Sequence, residues 1–254
     1  MSRYFLEVSY KGTAYSGFQS QQNTGKTIQA EVEKAFAVLQ REEVVMTGSS
    51  RTDAGVHAMQ NYFHFDYEGE IHPQFIYKVN AILPDDIVIR KLFPVGTDSH
   101  CRFDALSREY RYYIYRRKDP FLQDRAFYFP YRLEMERMQE AAAVVKEYTD
   151  FTSFSKRNTQ VKTFECMIME SEWEVGEESL IYHVKANRFL RGMVRALTAT
   201  MLQVGRGKLD MEGFRKVIES RDCTKANFAV PARGLFLEKV EFGWLREMVG
   251  PGAV

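Results

Sequence analysis

The sequence predicts an α+β protein made of two split βαβ halves. Three observations predict it. Strand-like and helix-like patterns alternate as strand, helix, strand, strand, helix, strand over the first 93 residues, and a similar order begins again after Gly96. A chain of 254 residues is long enough for one large or two small domains. Its composition, 45% hydrophobic and 27% charged, is that of an ordinary globular protein. The two halves are expected to join into one extended antiparallel sheet flanked by helices, with an active-site cleft between them. The predicted boundaries are 1–104, 105–245 and a loose tail over 246–254.

Tyr4 to Tyr10 carries the aromatic and β-branched content of a strand. Lys11 to Lys26 is a polar loop in which Tyr15 and Phe18 are either anchors onto the core or contacts for a ligand. Thr27 is placed to cap a helix to about Gln40, with Ile28, Val32, Ala35, Phe36 and Leu39 on one stripe. Val44 to Met46 reads as a short strand and Asn61 to Tyr67 as a longer one. Pro73 opens a helix through Ile82, Pro84-Asp85-Asp86 is a turn, and Ile87 to Phe93 is a strand. This is the ferredoxin-like plan, shared with RRM-like RNA-recognition modules.

In the second half, Arg108 to Arg116 reads as a strand and Met135 to Tyr148 as a helix. Thr163 to Val175 and Ser179 to Ala186 read as a hairpin with Gly176 in its turn. Phe189 to Val204 and Asp210 to Ser220 read as helices, and Leu235 to Phe242 as the closing strand. No residue-level repeat accompanies the repeated order of elements.

Charge and cysteine usage narrow the function classes. The formal net charge is +1, so binding to a polyanion has to rest on local clusters of cations. Cys101, Cys166 and Cys223 are far apart with no Cys-x-x-Cys, which argues against a disulfide framework and for a reducing, cytoplasmic setting. The five histidines show no metal-ligand spacing, so no metal is expected. No nucleotide fingerprint is present, and no cofactor is expected. Met1-Ser2-Arg3-Tyr4 runs straight into a strand pattern, so neither a signal peptide nor a membrane segment is expected.

Three segments carry the chemistry. The first is Gly48-Ser49-Ser50-Arg51-Thr52-Asp53-Ala54-Gly55-Val56-His57, which sets one carboxylate among small residues on a tight turn. An Asp in such a turn commonly does no more than cap backbone N–H groups. The second runs from Arg102 to Lys118, where six Lys or Arg face two acids and Tyr alternates with Arg at Tyr110, Arg111, Tyr112 and Tyr113. That alternation suits base stacking and phosphate binding, and equally a strand whose tyrosines pack inward. The third is Asn187 to Arg195, where Arg188, Arg191 and Arg195 are spaced to share one helix face and no acid occurs between Leu180 and Leu209.

The run Arg51-Thr52-Asp53-Ala54-Gly55-Val56-His57-Ala58 resembles the active-site motif of the tRNA pseudouridine synthase A family. The resemblance continues through Tyr110-Arg111-Tyr112 and Met193-Val194-Arg195, with Phe151-Thr152-Ser153-Phe154 and Gly234-Leu235-Phe236 as weaker matches. Departures occur in the first loop, with Lys11 and Phe18 where the family has Asp and Trp, and in Thr163-Phe164-Glu165-Cys166, which lacks the family's usual Thr-Arg step.

The resemblance implies isomerisation of uridine to pseudouridine at positions 38, 39 and 40 of the tRNA anticodon arm by a homodimer. It makes Asp53 the catalytic aspartate, the nucleophile of the reaction. Attack on C1′, attack on the base and removal of a ribose proton all need one ionised carboxylate, and the sequence does not choose among them. Arg195 would pair with Asp53, Tyr110 would stack on the uracil, and Arg51 would fill the stack vacated by the flipped base. Arg102, Arg111, Lys118, Arg188 and Arg191 are expected to bind the tRNA backbone. Two other readings compete: an RNA nucleoside glycosidase-like enzyme, and a non-catalytic RNA-binding module.

Overall fold

The structure, a computed structural model, describes residues 1–21, 24–157 and 161–243. The predicted tail over 246–254 lies outside the described residues. The chain forms two compact units, Met1–Leu106 together with the chain from Leu237 on, and Ser107–Phe236. The α+β class holds, with α-helices and antiparallel strands in both units.

The first unit is built from β1 (Ser2–Tyr10), α1 (Ile28–Gln40), β2 (Thr47–Gly48), β3 (His57–Tyr67), α2 (Phe75–Ile82) and β4 (Ile87–Val95). β1 lies between β4 and β3 and is antiparallel to both, and β2 pairs antiparallel with β3. The order β4-β1-β3-β2 is the split βαβ, ferredoxin-like arrangement. β1 is buried without a break from Phe5 to Tyr10 because both of its faces are covered. On one face Phe65, Phe75 and Tyr67 surround Phe36 of α1 at 5.1–5.7 Å between ring centres. On the other, Phe5 and Tyr62 pack on Phe242 of β9 (Leu235–Phe242) at 5.6 and 5.2 Å.

Thr27 caps α1 as its position predicts: its side-chain oxygen accepts from the Ala30 N–H at 3.2 Å. The predicted strand at Val44 to Met46 is displaced. Those residues are irregular, and the ladder forms at Thr47–Gly48 instead. An apolar triplet had suggested a buried strand, but Val45 is 86% exposed.

The second unit contains most of β5 (Ala105–Tyr115), then β6 (Phe127–Tyr128), α3 (Met135–Val145), β7 (Ile168–Val175), β8 (Ser179–Ala186), α4 (Met193–Gly205) and α5 (Met211–Glu219). β8 lies between β5 and β7, antiparallel to each, with Tyr112 opposite Tyr182 and Tyr182 opposite Trp173. These three rings belong to the core. The order β5-β8-β7 repeats the β1-β3-β2 portion of the first unit. Asp210 caps α5 by accepting from the Gly213 N–H at 2.7 Å.

Besides α2, which starts at Phe75 rather than Pro73, two more predicted elements start later than expected. β7 begins at Ile168 rather than Thr163. α4 begins at Met193 rather than Phe189, because Gly192 adopts φ +78° and ends the preceding turn. Arg188 and Arg191 therefore lie outside α4, and the shared helical face expected for Arg188, Arg191 and Arg195 does not exist.

Candidate active site

The loop from Ser49 to Val56 is pinned from several directions. Its first half is tied to β3. The Ser49 N–H donates to the Tyr62 carbonyl at 2.8 Å, and the Asn61 amide accepts from the Ser50 N–H and donates to the Ser50 carbonyl at 3.2 and 2.9 Å. Thr52 shares a hydrogen bond with the Tyr10 hydroxyl at 2.7 Å, and its carbonyl accepts from the Phe18 N–H at 3.2 Å. The Asp53 carbonyl accepts from the Val56 N–H at 3.2 Å, closing the tight turn in which Gly55 has φ +80°. At the far end, the His57 ring accepts from the Gly12 N–H at 3.2 Å. A Cβ on Gly12 would collide with the Val56 carbonyl, so only glycine permits this approach.

This framework leaves Asp53 half-buried and Arg51 exposed. Phe18 decides the question left open for the first loop. It is 1% exposed, stacks on Phe63 at 4.5 Å, and is an anchor beneath the loop. Tyr15 is an anchor too, donating from its buried hydroxyl to Asp86.

Beside this loop lies a turn over residues 100–104. The Asp104 carboxylate accepts from the His100 N–H at 2.7 Å, and the Phe103 and Asp104 N–H groups donate to the His100 carbonyl at 3.1 and 3.0 Å. Cys101 is the buried foot of the turn, its thiol 3.1 Å from the Thr47 carbonyl and 3.2 Å from His64 Nδ1. Burial drives the His64 pKa down to about 4, and burial also lowers that of His100, so both imidazoles are neutral at pH 7. Arg102 and Phe103 are exposed.

In the second unit, Tyr110 is half-buried on β5 and meets Phe189 edge to face at 5.1 Å. Tyr112 is fully buried, donating its hydroxyl to the Pro231 carbonyl at 2.7 Å. The alternating tyrosines thus divide between core and surface. Arg111 lies 3.5 Å from Glu174, and the Arg108 guanidinium donates to the Asn187 carbonyl at 3.1 Å. Lys118 and Arg191 are exposed and Arg188 is half-buried. The Arg195 guanidinium donates twice to the Val230 carbonyl, at 3.0 and 2.7 Å, which fixes its plane at the start of α4. Among the described residues no cluster of His, Cys, Asp or Glu could hold a metal ion.

A family model described as tRNA pseudouridine synthase matches residues 7–104 and 148–243. The chain belongs to the tRNA pseudouridine synthase family. It is 45% identical over 244 residues to the tRNA pseudouridine synthase A of Parabacteroides distasonis, covering 95% of this chain and 96% of that one. It is 43% identical over 249 residues to that of Porphyromonas gingivalis, covering 95% and 98%, and 41% identical to that of Staphylococcus saprophyticus, covering 94% and 90%.

The synthase is therefore an isomerase acting on tRNA uridine, and nothing in these likenesses favours a glycosidase or a non-catalytic binding module. Sequence reasoning missed the parts of the synthase that hold its loop. Asn61 read as an ordinary strand residue, and its amide turns out to tie β3 to Ser50. The Val230 carbonyl left no trace in side-chain chemistry at all. Phe154 and Phe151 of the weaker match are core residues, and Asp150 caps their turn by accepting from the Thr152 N–H and hydroxyl at 2.9 and 2.7 Å.

Proposed function

We propose that this synthase converts uridine to pseudouridine at positions 38, 39 and 40 of tRNA, with Asp53 as its catalytic carboxylate. The N1–C1′ bond breaks, the uracil turns within the site, and C5 bonds to C1′. The proton leaves C5 and N1 gains one, so atoms balance without a redox partner or an activated donor. One carboxylate suffices, in contrast to hydrolases that work with a pair.

The observation that carries this reading is the over-determined loop around Asp53. Hydrogen bonds between Tyr10 and the Thr52 hydroxyl, from Asn61 to Ser50, from Gly12 to the His57 ring and from Phe18 to the Thr52 carbonyl fix the loop on both sides of one half-buried carboxylate. A reaction that needs its carboxylate at one sugar–base junction gains from such fixed placement. In this reading Asp53 acts as the nucleophile and Arg195 is its counter-charge, keeping it ionised when a bound base excludes water. Tyr110 stacks on the uracil and holds it after cleavage.

Extruding the uridine costs about a few kcal/mol of stacking. Arg51, exposed two residues before Asp53, offsets that cost by occupying the vacated stack. Arg102, Lys118, Arg188 and Arg191 bind the backbone, and Arg111 would have to release Glu174 to join them. The synthase works as a cytoplasmic homodimer in this reading.

The test is Asp53→Asn. It is expected to abolish tritium release from C5-labelled uridine in tRNA while tRNA binding persists. Full turnover by the variant would end the assignment.

A further inference from the structure

The first unit contains a cleft of about 340 Å³ beside the Asp53 loop, and the assignments above use only its rim. Thr47, Gly48, Arg51, His100, Arg102 and Phe103 are among the residues that line it. Among the described residues, no acidic one lines it. A second cleft of the same unit, about 320 Å³, is lined by Glu42, Glu43, Asp66 and Glu68 and would repel a phosphate.

Phe103 is the residue that needs an explanation. It is 75% exposed, although it sits on a turn held by three hydrogen bonds and a buried cysteine foot. Its ring lies 4.2 Å from the His100 ring and 5.8 Å from the Arg102 guanidinium. A single exposed aromatic is unremarkable. An aromatic held outward by a rigid turn, backed by a neutral imidazole and flanked by the Arg102 guanidinium, in a cleft also lined by Arg51, has the composition of a base-stacking site on a single strand.

We propose that this cleft is a second nucleotide site, in which one unpaired tRNA nucleotide other than the target uridine stacks on Phe103. Arg102 takes its phosphate. The cleft adjoins Arg51, so the nucleotide held there is a near neighbour of the target along the strand. Holding it steadies the strand beside the extruded uridine while that uridine is at Asp53, whichever of positions 38, 39 and 40 is served. The proposal rests on the tRNA reading above for its ligand.

Phe103→Ala is expected to weaken binding of an anticodon stem-loop roughly tenfold or more, the scale of one lost base–aromatic stack. Phe103→Trp keeps the affinity, and Phe103→Leu, apolar but not planar, loses it. The decisive measurement repeats the binding with stem-loops carrying one abasic nucleotide at each position in turn. One position away from the target should weaken the parent protein and leave Phe103→Ala unaffected.

Equal binding by parent, Ala and Leu variants would overturn the proposal, as would the absence of any position coupled to Phe103. Coupling to the target uridine itself would also overturn it, by making the cleft the catalytic pocket. So would a lower oligomeric mass for Phe103→Ala, which would assign the ring to a contact between copies. A protein that shows the coupling yet forms no pseudouridine would keep the nucleotide site and lose the proposed reaction.

Discussion

At the scale of single residues, the Asp53 loop depends on a glycine that does no chemistry. Gly48 lies under the ring of Phe18, and a Cβ there would collide with that ring. Phe18 in turn stacks on Phe63 and supports Thr52 through its own N–H. The chain from Gly48 through Phe18 to Thr52 ends one residue from Asp53. Gly48→Ala is therefore expected to cost about 1–3 kcal/mol of stability, the usual range for overpacking. It should also lower kcat on the order of tenfold to a hundredfold at temperatures where the fold is intact, because the carboxylate moves. Adding Phe18→Leu should return part of the stability, since a narrower side chain makes room. Thermal unfolding and single-turnover rates measure the two effects, and an unchanged kcat would show that the ring and the loop are not coupled. This position also explains the departure noted at residue 18: a Phe there fills the space between Gly48 and Phe63.

At the scale of elements, what was legible followed from side-chain periodicity, and what was not followed from the backbone. β8 and β9 were read to the residue because alternating apolar residues face a core. The start of α4 was misread because Phe189, Leu190 and Met193 keep a helical apolar spacing through a turn that is not helical. Gly192 is the cause, with φ +78° and Lys156 packed against its open side. An L residue pays about 1–2 kcal/mol in that conformation. A Cβ at 192 would also sit 3.0 Å from the Lys156 side chain. Gly192→Ala should therefore lower the thermal midpoint by a few degrees. Gly25→Ala serves as the control, since its Cβ would enter open space without a positive φ. Equal midpoints for both variants would mean that the left-handed turn before α4 contributes nothing to stability.

At the scale of the whole molecule, the residues proposed for the site stood out as motifs and the groups that support them did not. Asp53, Arg195 and Tyr110 stood out because carboxylate, guanidinium and phenol are rare in small-residue or clean-charge surroundings. The carbonyls and amides that aim them, at Val230, Asn61 and Tyr62, have no such contrast. Net charge was equally silent. A chain carrying +1 overall gains little long-range attraction to RNA, so affinity has to come from a few cations placed against phosphates. Such contacts release counterions one by one, and each contributes about 0.7 to the slope of log affinity against log salt on a single strand. Lys118→Ala and Arg188→Ala should each weaken tRNA binding and flatten that slope by about one unit or somewhat less. Arg111→Ala should change it little, because Glu174 already neutralises that guanidinium across the sheet face. Titrations of tRNA between low and physiological salt give all three slopes. A slope unchanged by Lys118→Ala and Arg188→Ala but flattened by Arg111→Ala would place the RNA on the β5–β7 face and off the path proposed for it.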